Sequence, residues 1–253
     1  MPVGPHEEPR KPRSNLALGL LGVLIVAMVV GLVCLGVWQV ERRAWKLDLI
    51  RQVDARVHAP ASPAPGPDRW PTVSRDADQY RHVILHGVFE NDRETLTQAV
   101  TDYGPGFWVL TPFRTHAGFT VLINRGYVPA ERRAPASRAA GQISGETTVQ
   151  GLLRITEPKG GFLRANDPAK DSWRSRDVQA IAARRGLTTV APYFVDADAT
   201  PNAGGGPLGG LTVIRFPNSH LVYALTWFGL ALMLAAGGAF VAWDERRVRQ
   251  GLQ

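Results

Sequence analysis

Two long stretches without a charged residue, Leu16 to Val40 and Leu221 to Trp243, bracket a middle region in which apolar and polar positions alternate over short distances. A helix of about 20 apolar residues crosses a hydrocarbon core about 30 Å thick, so the two stretches predict transmembrane helices over 16–40 and 220–243. The first is longer than the apolar core of a secretory signal, about 7 to 15 residues, and is followed by no small-residue cleavage site. It reads as a span and not as a leader. Beyond Val40, apolar and charged residues mix at helical spacing to about Val57. Ala59 to Pro67 then places four prolines in nine residues, which predicts a semi-extended spacer. Residues 41–79 are thus helical extension and spacer, with a disordered, proline-rich tail at 1–15 and a second tail at 244–253.

From 80 to 216 the pattern becomes short β-branched and aromatic runs punctuated by Gly, Pro and Asn, the signature of strands and tight turns. Strands are predicted at His82 to Phe89, Glu94 to Ala99, Phe107 to Phe113, Phe119 to Asn124, Thr147 to Leu153, Pro192 to Val195 and Leu211 to Phe216, with one helix at Ser175 to Arg185. Ala203 to Gly210, rich in glycine, reads as a flexible loop feeding the last strand. The fold class expected is an integral membrane protein, two transmembrane helices flanking a mainly β (α+β) soluble domain that is sandwich or barrel-like.

Charge and composition narrow the function. The formal net charge is +7, but the basic residues lie beside the apolar stretches or among acids. No stripe interleaved with aromatics appears, which argues for no nucleic acid and for membrane lipids as the partner of that charge. Arg10, Lys11 and Arg13 before the first stretch, with Arg246, Arg247 and Arg249 after the second, predict cytoplasmic termini and a periplasmic middle domain in a bacterial inner membrane. Arg42, Arg43, Lys46 and Arg51 oppose that bias, although a long domain crosses largely regardless of its charge. Cys34, the only cysteine, excludes an intramolecular disulfide and a paired-cysteine metal site, and reads as a small hydrophobe.

Catalytic patterns are missing from the sequence. There is neither a nucleophile elbow nor a phosphate-cradling glycine loop, and Asp167, Asp171 and Asp177 read as caps and solvated surface. His82 and His86 belong to a strand, where four residues span about 13 Å, too far to share an ion. His6, His58 and His116 have no obvious partners. The expectation is a protein that is not an enzyme.

One constellation carries chemistry. Pro217 discourages helix before it and Asn218 or Ser219 can cap the first turn, so His220 stands at the entrance of the second apolar helix. At 100° per residue His220, Tyr223, Ala224, Trp227 and Ala231 share a face, as a flat apolar ligand with a ligatable centre would require. The N-terminal end of a helix favours the neutral ring that a metal needs. A competing reading explains the same residues: Tyr and Trp gather at membrane interfaces regardless of function, and small residues seat neighbouring helices. From these residues alone both readings stand.

Several stretches in order resemble the Surfeit-locus family of cytochrome c oxidase assembly proteins. They are Leu35-Gly36-Val37-Trp38-Gln39 with Arg42 and Trp45-Lys46, Gly87-Val88-Phe89, Gly106 to Phe113, Asn124-Arg125-Gly126-Tyr127-Val128-Pro129, Gly151 to Arg154, Asn166-Asp167-Pro168, and Pro217 to Phe228. The resemblance implies an inner-membrane protein that assists maturation of a haem-copper oxidase, with cytochrome c oxidase subunit I and haem a synthase as partners. In bacterial members it implies binding of haem a, with His220 as the axial ligand to the haem iron. Trp38, Tyr223 and Trp227 would then pack on the macrocycle and Arg42 would meet its propionates. The alternative is a membrane scaffold that binds no haem and only holds subunit I or the synthase.

Overall fold

The computed structural model describes residues 13–161, 164–214 and 216–251. It falls into two compact units, one built from residues up to Ile50 together with those from Phe216 onward, the other from Arg51 to Arg215. His6, Arg10 and Lys11 lie outside the described residues, as does most of the expected N-terminal tail.

The first unit is a pair of antiparallel helices. Helix α1 (Asn15–His58) runs 44 residues, about 66 Å at 1.5 Å per residue. It is opened by Ser14, whose hydroxyl accepts from the Ala17 amide at 3.2 Å. It contains the first apolar stretch and continues through the charged extension, as its spacing implies. Both α1 and the helix His220–Arg249 are long and apolar enough to cross a membrane. Their large apolar side chains point outward, among them Leu20, Val23 and Leu232. Small residues let the two backbones approach: a Cβ on Gly36 would overlap the Phe228 ring, and one on Gly238 would press on Ile25. Far from that end, the Glu245 carboxylate accepts from the Arg13 amide at 2.9 Å and from Arg249 Nε at 3.3 Å. Arg249 also donates to Asn15 Oδ1 at 2.7 Å, so the start of α1 and the end of its partner are fastened together.

The second unit is a closed barrel. In chain order its strands are β1 (Ser62–Pro63), β2 (His82–Phe89), β3 (Thr95–Thr101), β4 (Gly104–Thr115), β5 (Thr120–Pro129), β6 (Glu146–Ile155) and β7 (Val190–Ala197). The order β2-β6-β7-β5-β4 returns to β2, making five strands a ring, with β1 and β3 added outside it. All ring neighbours are antiparallel except β5 and β7. Closure occurs where Gly87, Val88 and Phe89 pair with Thr115, Arg114 and Phe113. A Cβ on Gly87 would overlap the Arg114 carbonyl oxygen, so the bare glycine is what lets the two strands meet.

Alternation along the strands sorts the core. Val83, Leu85, Phe113, Val121, Ile123 and Val195 fill the barrel, while Leu110, Leu122 and Phe194 face outward and are covered by Trp173, Val178 and Ile181. Val178 and Ile181 belong to a two-turn helix, Val178–Arg185, which starts three residues later than the sequence predicts. Asp177 sets that start by accepting from the Ala180 amide at 3.1 Å, and Gly186 ends the helix in the left-handed conformation at φ 61°.

Three expectations are corrected. The proline-rich stretch is not a free spacer. Ser62 and Pro63 pair in parallel with β2, and the Pro65 carbonyl accepts from the buried Tyr193 hydroxyl at 2.7 Å and from Trp70 Nε1 at 3.0 Å. Proline suits such an outer strand, which need not donate on both sides. The predicted strand at Leu211 to Phe216 does not form: Leu211 to Ile214 and Phe216 are irregular, and Arg215 lies outside the described residues. Its start is held by other contacts: the Gly210 amide donates to the Ala197 carbonyl at 3.0 Å and the Thr212 hydroxyl to Asp196 at 2.9 Å. Nor does the Ala203 to Gly210 loop hang loose, since Arg132 donates to the Gly204 carbonyl at 3.2 Å and Asn202 to that of Pro207 at 2.7 Å.

Gly126 anchors the same loop to β5. Its φ of +127° is one that side chains rarely adopt, and a Cβ there would overlap the Leu208 carbonyl, whose residue exchanges two hydrogen bonds with Tyr127 at 2.9 Å. Gly126→Ala should therefore destabilise the barrel by about 1–3 kcal/mol. Urea unfolding of the full chain followed by tryptophan fluorescence checks this, and an unchanged midpoint would count against the packing described.

Candidate functional site

The antiparallel pairing of the helices brings His220, the first residue of the C-terminal helix, beside Gln39 of α1, 181 positions earlier. The distance from His220 Nδ1 to Gln39 Oε1 is 2.7 Å. Gln39 is only 9% exposed, facing the seam with Gly36. An amide oxygen only accepts. The contact is a hydrogen bond in the tautomer with the proton on Nδ1, and in that neutral ring the lone pair resides on Nε2. Of the two capping candidates, Ser219 occupies the N-cap position, but its side chain makes no capping bond.

The other sequence-predicted residues are placed as follows. Ala224 and Ala231 are 1% and 4% exposed, so the small residues of the predicted ligand face are turned to α1. Trp227 is half-buried beside that seam, and Tyr223 is exposed. Trp38 is exposed too, about 100° around α1 from Gln39. The Arg42 guanidinium stacks on Trp45 with its Cζ 4.0 Å from the ring centroid. Lys46, which shares the Gln39 face, lies over Phe216 at 5.3 Å. The structure thus joins His220 to Gln39 and leaves Trp38, Arg42 and Tyr223 on the flanks.

The histidines of the barrel separate as their strand requires. His82 Nδ1 meets the Ala59 carbonyl at 2.9 Å, His86 Nδ1 meets Thr148 Oγ1 at 2.9 Å, and His116 reaches Glu146. Among the described residues no three His, Cys, Asp or Glu side chains gather as a metal site would.

Sequence reasoning missed a charged cluster at one end of β7. Asp196 is 4% exposed and accepts from Asn124 Nδ2 at 2.7 Å, Arg154 NH1 at 2.5 Å, Arg176 NH1 at 3.3 Å and the Thr212 hydroxyl at 2.9 Å. Glu157 completes it with two bonds to Arg176, at 2.6 and 3.0 Å. Two arginines and two carboxylates neutralise one another beside a cleft of about 200 Å³ that Trp108 also lines. The signal was an aspartate directly after Tyr193-Phe194-Val195, a run fit for a buried strand. Near the outer helix, burial alone would raise the Asp171 carboxyl, but hydrogen bonds from Trp173 and Arg185 hold it below the usual carboxylate range.

A family model described as the SURF1 family matches residues 26–232, a range that includes Trp38, Gln39, Arg42, His220, Tyr223 and Trp227. The chain belongs to the SURF1 family. Surfeit locus protein 1 of Homo sapiens is 36% identical over 214 residues, 78% of this chain and 69% of the human protein. That of Takifugu rubripes is 34% identical over 225 residues, covering 82% of this chain and 90% of the fish protein. A SURF1-like protein of Monosiga brevicollis is 34% identical over 223 residues, 82% of each chain. SURF1 proteins are known as cytochrome c oxidase assembly factors. The matched range takes in the whole barrel and part of each apolar helix.

Proposed function

We propose that this SURF1-family protein is a bacterial inner-membrane assembly factor for a haem-copper cytochrome c oxidase, and that it holds haem a for delivery to or retention in subunit I. The observation that supports the reading is the contact of His220 Nδ1 with Gln39 Oε1: with Nδ1 as the donor, Nε2 is free to act as a ligand at the mouth of an apolar hairpin. Haem a, when bound, supplies an iron able to take an axial nitrogen. The chain's part is to present Nε2 in the neutral tautomer, as partners of metal-bound histidines generally do through the opposite ring nitrogen. Tyr223, Trp227 and Trp38 offer aromatic surface around that point, and Arg42 a cation for a propionate. A lone protein ligand suits a carrier that must release its cargo. The absorption spectrum of protein purified from cells that make haem a tests the reading. Absence of a Soret band from the unaltered protein leaves the haem-free scaffold, holding subunit I or haem a synthase, as the better account.

The same reading places both termini in the cytoplasm and the barrel in the periplasm, supported by two apolar helices and by Arg246, Arg247 and Arg249 at the end of the second. Alkaline phosphatase inserted near Gly205 should be active in intact cells, and a fusion after Gln253 inactive. The opposite pair of results would invert the topology.

A further inference from the structure

The two apolar helices leave a groove between them at the end where Arg249 ties them together. One cavity there, of about 240 Å³, is lined by Leu18 and Leu21 of α1 and by Val241, Ala242 and Arg246 of the C-terminal helix. A second, of about 360 Å³, continues from it to Val29 and Val30, and the two share Gly22, Ile25 and Gly238. From Leu18 to Val30 the groove runs about 18 Å at 1.5 Å per residue. Past Val30 the seam is shut: Ala231 and Ala224 are buried, and the Phe228 ring takes the space beside Gly36.

Depth and charge select the occupant. About 18 Å is little more than half of a hydrocarbon core about 30 Å thick, so the groove crosses one leaflet, the depth that an acyl chain fills. A third transmembrane helix would need a seam open along the whole hairpin. The mouth is cationic, since Arg13, Arg246, Arg247 and Arg249 outnumber Asp244 and Glu245 there. The buried Glu245 carboxylate is taken up by the Arg13 amide and Arg249 Nε, and Arg249 by Asn15 and the Arg13 carbonyl as well. Arg246 is exposed on the groove wall and has no ion pair among the described residues. Trp243, exposed a turn short of it, is a residue type that gathers at membrane interfaces, which sets Arg246 at headgroup depth.

We propose that this groove binds one anionic phospholipid, an acyl chain lying between the helices and the phosphate meeting the Arg246 guanidinium, whose planar fork suits a phosphate. The proposal rests on the reading of the two helices as membrane spans, and not on haem.

Native mass spectrometry of the full-length protein in detergent, with phosphatidylglycerol or phosphatidylcholine of the same chains added, reads the binding. One phosphatidylglycerol should bind about fivefold more tightly than phosphatidylcholine, the worth of one arginine beside an anionic lipid. Glycerol 3-phosphate, a head without a tail, should not displace it. Arg246→Gln should erase the difference between the lipids. Gly22→Leu should lower occupancy by both several-fold, because a Cβ there meets nothing within 4 Å and the side chain extends into the groove. Equal affinity for the two lipids in the parent, or parental phosphatidylglycerol binding in Gly22→Leu, would overturn the proposal. A benzophenone amino acid replacing Leu21 separates the occupants in membranes. An adduct enriched in phosphatidylglycerol supports the proposal, whereas an adduct with a polypeptide gives the groove to a partner helix and overturns it. Release of the protein from membranes by alkaline carbonate would instead refute the membrane reading on which the proposal stands.

Discussion

An Asp196→Ala protein should be less stable than the parent by about 3–5 kcal/mol, the cost of leaving buried charge uncompensated. The carboxylate is 4% exposed and lies between two arginine side chains that are themselves only 13% and 15% exposed. Removing it strips an acceptor from four donors at once. Glu157 can still neutralise one arginine, but not both. Glu157→Gln should cost far less, because that carboxylate is 32% exposed and water replaces part of what is lost. Urea denaturation of the full-length protein, with tryptophan fluorescence as the signal, reads both. If the Asp196 variant lay within about 1 kcal/mol of the parent, the cluster would be a solvated surface network and not part of what holds the barrel.

His220→Ala should leave helix content and membrane extraction unchanged, since a half-buried side chain at a helix end contributes little to a core, yet remove the Soret absorbance of co-purified haem a. Gln39→Leu provides the sharper test, because it spares the ligand and removes only its orienting acceptor. Loss of such a partner typically lowers metal affinity about 10–100-fold. Gln39→Glu keeps an acceptor oxygen and should recover most of the occupancy. Trp38→Ala and Trp227→Ala should weaken binding only partly, each deleting packing area worth at most a few kcal/mol. Full haem occupancy in His220→Ala, with an unchanged spectrum, would reject His220 as the ligand.

Local signals explain what was legible beforehand. His82 to Phe89 forms a strand with the very limits its alternation predicts, because each inward position buries an apolar side chain and the next faces out. The two long helices followed from runs of uncharged residues, and His220 stood out as an ionisable group at the edge of one. The remainder depends on partners distant in the chain. Ser62 and Pro63 carry no strand propensity and are recruited by an open edge of β2. Leu211 to Ile214 has the propensity but pairs with no strand. Gln39 looked like one more polar residue at a helix exit until the hairpin set it against a ring 181 positions away.

Closure of the barrel also fixes an order of events during synthesis. His82 pairs with Leu152 and Thr120 with Val190, so the ring is completed by contacts some 70 residues apart in the chain. Pairings of that separation are slow to form. Until Ala197 has left the ribosome, β5 and β6 each present an open edge where β7 will insert, together with the apolar faces it will cover. The nascent domain is then most exposed to mispairing with other chains. A holding factor acting on the unfinished chain would have its greatest effect in that interval, and a truncation ahead of Val190 would prolong it indefinitely.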